Sequence, residues 1–167
     1  MLRNSAVRVL TEERYGQIYF NGTVWTIVYD DTHTVEQIRF TLAHELGHMY
    51  LAHNHYKPKN GGIQPIFREY PAAEKQANMF AERLLCPSCV LAALEPQSPE
   101  EIARLCHVEL DVAKRRFKRM TDLNKRDKYL TDPLEKELFE SFLPYINEQN
   151  KARQESKDCD KRSVILP

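Results

Sequence analysis

Between Gln17 and Asp31 the chain is dense in β-branched and aromatic residues. Gln17-Ile18-Tyr19-Phe20 and Val24-Trp25-Thr26-Ile27-Val28-Tyr29 flank Asn21-Gly22, a two-residue turn signal, so this stretch predicts a β-hairpin. Asp30 to Thr34 then breaks the strand and supplies helix caps, Thr34 or Thr32 being the N-cap. From about Val35 to His55 the apolar spacing changes to three and four. Val35, Ile38, Leu42, Leu46 and Met49 form one stripe expected to be buried, and His44 and His48 lie four apart on a neighbouring face.

Pro58 to Pro71, with Gly61-Gly62 and Pro65, reads as an irregular loop. A second helix follows from about Ala72 to Leu85, with Ala73, Ala77, Phe80, Ala81 and Leu84 as its apolar stripe and Pro87 as its stop. Beyond the turn at Glu95-Pro96-Gln97, Ser98 is placed to cap and Pro99 to open another helix. A break near His107-Val108-Glu109 leads into a helix through Ala113, Phe117 and Met120, giving residues 98–120 a helix-turn-helix-like look. Leu134, Leu138, Phe139 and Phe142 mark one more amphipathic piece. The polar stretch that follows is expected to be disordered over residues 150–167.

Composition narrows the function classes. The chain has 167 residues, 42% of them hydrophobic, which suits one compact domain with an appendage. Lys plus Arg and Asp plus Glu number 24 each, so a net charge of zero gives no overall attraction to nucleic acid, membrane or acidic partners. The basic run Lys114 to Arg119 is expected to be solvated, with DNA contact as the minor alternative. The opening residues lack the apolar run of a signal peptide, and no stretch has the length of a membrane span. A cytoplasmic protein with reduced cysteines is therefore expected, which limits substrates to intracellular proteins or peptides. Cys86 and Cys89 form a C-x-x-C without a partner pair, and read as one core cysteine and one loop cysteine.

The chemistry concentrates in His44-Glu45-Leu46-Gly47-His48. Two histidines at i and i+4 of a helix supply two zinc ligands without backbone strain. The glutamate beside the first falls where it reaches a metal-activated water and acts as general base. Catalytic zinc needs a third protein ligand and an open position. The extension H-E-x-x-H-x-x-G-x-x-H fails, because Leu51 and Asn54 stand where glycine and histidine are required, with His53 and His55 one residue off on either side. A glutamate on the next helix is the other solution. Glu74 is favoured by helix phase and placement, with Glu69 and Glu82 as rivals, and Asn78 one turn on is placed to orient a ligand histidine. Tyr70, just before Glu74, is the candidate transition-state donor.

Phe40-Thr41-Leu42-Ala43-His44-Glu45-Leu46-Gly47-His48, followed by Glu74-Lys75-Gln76-Ala77-Asn78-Met79-Phe80-Ala81-Glu82-Arg83-Leu84-Leu85-Cys86-Pro87, resembles the ImmA/IrrE metallopeptidase family. The match departs at Cys86, where the family pattern usually has Met. The resemblance covers Gln17 to Leu94 closely and Ser98 to Met120 loosely. It implies an α+β, zincin-like fold of the gluzincin type, in which a small β-sheet packs on the active-site helix and a helical C-terminal region follows. It also implies His44, His48 and Glu74 as ligands and Glu45 as the catalytic glutamate. The expected division is a metallopeptidase domain at 1–95, a helical region at 96–149 and a tail at 150–167. The implied activity is zinc-dependent endopeptidase cleavage of a cytoplasmic repressor of the helix-turn-helix type, with manganese as the alternative metal. The competing reading is a non-catalytic zinc-containing regulator that binds DNA or a repressor.

Overall fold

A computed structural model describes residues 8–9, 16–53, 64–65, 71–126, 130 and 132–163. The sheet has the order β1-β3-β2-β4, built from β1 (Arg8–Val9), β2 (Gly16–Phe20), β3 (Trp25–Tyr29) and β4 (Gln64–Pro65). β2 and β3 are the expected hairpin, with Phe20 opposite Trp25 and their rings stacked at 4.6 Å between centroids. The connection spans residues 21–24 rather than the two-residue Asn-Gly turn. Asn21 Oδ1 accepts from the amides of Thr23 at 3.0 Å and Val24 at 2.8 Å, and Gly22 takes a left-handed φ of 95°. β1 joins β3 in parallel, an edge strand that hydrophobic patterning alone does not announce.

α1 (Val35–Tyr50) opens on a capping box. Thr34 Oγ1 accepts from the Gln37 amide at 3.3 Å and Gln37 Oε1 accepts from the Thr34 amide at 3.1 Å. Its buried face is not the aliphatic stripe: Val35 is 67% exposed, while Thr41, Ala43, His44, Glu45, Gly47 and His48 are buried. α1 packs against β2 and β3 and against α2 (Pro71–Leu85), and those neighbours cover the polar side of the helix. Gly47 permits the approach, since a Cβ there would stand 3.1 Å from Ala77 Cα and 3.2 Å from Phe80 Cβ. Ala77 and Ala81, both fully buried, keep the facing side of α2 equally flat.

α3 (Ser88–Leu94) is a helix the sequence reading did not anticipate. Seven residues are too few to show a helical period, and Pro87, read as a stop, is the N-cap of this next helix. α4 (Pro99–Cys106) and α5 (Leu110–Asn124) form where expected. Ser98 caps α4 by accepting from the Glu101 amide, and left-handed His107 makes the turn. Cys86, Leu91, Ile102, Val108, Val112, Ala113 and Met120 share one core, with Phe40 and Leu85 packed against it, so α4 and α5 are continuous with the helices before residue 95. Cys89 is buried on α3 and is not a loop residue. The thiol that meets Cys86 belongs to Cys106. That hydrogen bond, with burial, pushes the Cys86 pKa up.

α6 (Pro133–Ser163) corrects the expectation of a disordered tail from residue 150. Phe139, Phe142, Tyr145 and Ile146 pack on Cys89, Val90, Leu94 and Leu105. The polar part is then fastened to the C-terminal carbonyls of α3: Asn150 Nδ2 donates to Ala93 O at 3.4 Å and Arg153 Nη1 to Leu94 O at 2.7 Å. A helix end with orphan carbonyls is a docking surface for polar side chains, which composition reads only as polarity. Residues 164–167 lie outside the described residues. Among those described, no single helix is long and apolar enough to cross a membrane.

Candidate active site

α1 and α2 meet along their polar edges at a cleft of about 380 Å³. From α1 come His44 and His48, their Nε2 atoms 2.9 Å apart, one helical turn bringing the rings edge to face. From the first turn of α2 comes Glu74, whose Oε2 lies 3.2 Å from His44 Nε2 and whose Oε1 lies 3.4 Å from His48 Nε2. All three donor atoms fall within 4.8 Å of one another. His44 Nδ1 lies 2.9 Å from Asn78 Oδ1, an acceptor for the tautomer protonated on Nδ1, which presents Nε2 to the carboxylate. Glu45, only 1% exposed, lines the same cleft beside His44.

This donor set suits a metal ion. Tetrahedral bonds of about 2.0–2.1 Å to nitrogen and oxygen put ligand atoms roughly 3.3 Å apart, and the separations here run from 2.9 to 3.4 Å. A lone pair aimed at a carboxylate is repulsive unless a proton or a cation lies between them. Among the described residues the group offers three donor atoms from two helices, the number that a catalytic zinc site takes from protein. Comparison with known families bears on the same residues: the peptidase family profile described as the IrrE N-terminal-like domain matches residues 7–119. The chain belongs to that family. Among curated proteins no relative matches. The IrrE N-terminal-like match spans β1 to most of α5, so it takes in both helices that carry the His-His-Glu group and the α4–α5 pair.

Of the rival ligands, only Glu74 and Glu82 lie among the described residues. Glu82 is engaged by Arg115, whose Nε donates to Oε1 at 2.6 Å. Glu69 lies outside the described residues, as do Tyr70 and His55. The structure also brings to the site three residues that sequence reasoning did not assign. Glu109, at the turn between α4 and α5, lines the cleft and accepts from Gln37 Nε2 at 2.9 Å. No local pattern could have linked positions so far apart in sequence. His53 stands behind His48, with the two Nδ1 atoms 3.1 Å apart, on the ring edge opposite the metal-facing Nε2. Gly16 completes the wall, because a Cβ there would collide with Thr41 Cγ2 at 2.3 Å and lie 3.6 Å from Glu45 Cγ.

In the basic run of α5 only Arg116 is buried into the fold, and Lys114, Arg115, Lys118 and Arg119 are exposed, as expected of a solvated face. Arg116 is 4% exposed and donates to Cys86 O at 2.7 Å and Ser88 Oγ at 2.6 Å. Burial lowers its pKa from the usual arginine value. Arg115 is paired with Glu82, and Lys114 with Asp111 at 3.4 Å.

Proposed function

We propose that this protein is a zinc-dependent endopeptidase acting in the cytoplasm on a helix-turn-helix repressor. The observation that carries the catalytic part is Glu45: a carboxylate buried to 1% exposure, on the cleft wall, one residue from a histidine of the metal trio. Zinc, when bound by His44, His48 and Glu74, supplies Lewis acidity toward a scissile carbonyl and a water molecule. Two imidazoles and one carboxylate favour zinc over manganese, which prefers an oxygen-rich set. Glu45 accepts the proton of the attacking water and returns it to the leaving amine. Asn78 fixes the tautomer and direction of His44 through the 2.9 Å hydrogen bond to Nδ1. The cleft wall contributed by Glu109 makes the α4–α5 turn part of the surface that a bound polypeptide meets.

The repressor as substrate is supported by the family resemblance of the two motif blocks. A non-catalytic regulator would need a fourth protein ligand closing the site. Among the described residues, His53 meets His48 at Nδ1 and not at the Nε2 side where the three donor atoms gather. The decisive experiment first inspects the adjacent genes for a helix-turn-helix protein, then incubates that candidate with this protein, with and without a chelator. Cleavage by the parent, abolished by the chelator and reduced about 10²- to 10⁴-fold in Glu45→Gln at undiminished zinc content, is the expected result. Cleavage by Glu45→Gln at the parental rate would remove Glu45 from the reaction.

A further inference from the structure

We infer that His53 is the positioning residue of the second metal-ligand histidine, accepting a hydrogen bond from His48 and passing the restraint on to Gln76 of α2. The inference rests on the metal reading of His44, His48 and Glu74.

The placement of His53 follows from how α1 ends. The Leu51 amide donates to Gly47 O at 3.0 Å, the Ala52 amide to Met49 O at 3.2 Å and the His53 amide to His48 O at 3.1 Å. With Ala52 left-handed at φ 49°, this is a Schellman ending. That motif brings the residue two past the cap back over the residue three before the end. In most helices an apolar pair fills the contact; here it joins His53 to His48. Alanine holds here a left-handed conformation that glycine adopts more freely.

The proton arrangement is then determined. His48 has its Nε2 in the metal trio, so its Nδ1 carries the hydrogen and donates to His53 Nδ1 across 3.1 Å. His53 must therefore carry its own hydrogen on Nε2, which lies 2.9 Å from Gln76 Oε1, an acceptor. The two rings meet edge to face at 5.1 Å and 71°. Residues 74, 76 and 78 of one helix thus act on the trio in three ways. Glu74 ligates, Asn78 orients His44 directly, and Gln76 orients His48 through His53. The histidines past the motif are off register as ligands because at least one of them serves behind a ligand.

The test measures zinc affinity of the full-length protein by competition with a chromophoric chelator. His53→Phe, which keeps the ring and removes the acceptor, is expected to weaken zinc binding by about 10-fold or more. His53→Asn, whose carboxamide oxygen replaces Nδ1, should recover most of that loss. Gln76→Ala should weaken binding in the parent but not in His53→Phe. In the zinc-loaded protein, long-range ¹H–¹⁵N spectra should show His53 protonated on Nε2 and His48 on Nδ1. Parental zinc affinity in His53→Phe, an equal Gln76→Ala effect in both backgrounds, or a proton on His53 Nδ1 would each overturn the proposal. His44→Ala separates the two levels. If it binds zinc as the parent does, the metal site itself is wrong; if it loses zinc while His53→Phe does not, only the positioning role falls.

Discussion

α1 and α5 each bury polar groups that an amphipathic helix would normally turn to water, and they do so to different ends. α5 buries Arg116 against Cys86 O and Ser88 Oγ, a donor meeting two acceptors, and the arrangement is complete within the protein. α1 buries His44 and His48 beside Glu74, with His44 Nε2 3.2 Å from a carboxylate oxygen, and buries Glu45 on the same cleft. Acceptors gathered around one point call for a cation. The difference separates a buried cation that ties helices together through protein acceptors from a cluster of metal-ligating groups that could hold an ion.

If that contrast is right, metal should matter to one helix and not the other. Saturating zinc at a hundredfold excess over its Kd should stabilise the metal-free protein by about 2.7 kcal/mol. The rise in melting temperature should vanish in His48→Ala; its persistence would place the metal elsewhere. Gly47→Val should push α1 and α2 apart and cost about 1–3 kcal/mol by overpacking. It should also weaken zinc binding, because Glu74 arrives on the helix that is displaced; chemical denaturation and chelator competition read the two effects. Arg116→Met should cost about 1–3 kcal/mol, by leaving Cys86 O and the Ser88 hydroxyl without their donor. Zinc affinity should stay at the parental value, and any loss of it would break the contrast between the helices.

The smallest effect concerns the polar part of α6. Burial works against ionisation of Glu101, but the Gln97 amide and Arg153 outweigh it and hold its carboxyl below the ordinary value of 4.5. A lowered folded-state pKa gives stability that is present above 4.5 and is lost as pH falls through the lower folded value. Arg153→Ala should therefore destabilise by about 1 kcal/mol at neutral pH. The gap from the parent should narrow in acid. Denaturant midpoints at pH 7 and at pH 3 give both numbers, and an unchanged gap would mean that the ion pair contributes nothing.

Local signals predicted the elements that local physics controls. The hairpin, the N-cap before α1 (Thr34 of the two threonines offered), the Ser98 cap and the His107 break each arise from a few neighbouring residues, and each forms. The same signals misjudged what depends on neighbours in space. The aliphatic stripe of α1 was expected to be buried because apolar spacing marks a core face. In the folded chain the sheet and α2 cover the histidine face instead. The polar end of α6 looked like a tail, since nothing in its own composition shows that the C-terminus of α3 offers carbonyls to Asn150 and Arg153.

The metal motif divides in the same way. Sequence by itself determined that His44 and His48 project together and that Glu45 lies beside them, because one helical turn fixes their relation whatever the rest of the chain does. It also supplied the family, since both motif blocks are short and contiguous, and the family profile covers residues 7–119. The choice among Glu69, Glu74 and Glu82 could be argued from helix phase but not decided, because a ligand on a second helix depends on where that helix crosses the first. Tertiary structure put Glu74 3.2 Å from His44, through a crossing that Gly47 and Ala77 make close enough. It also placed Glu109 in the cleft and His53 behind His48. Both are contacts across a turn or across the chain, where sequence spacing carries no distance.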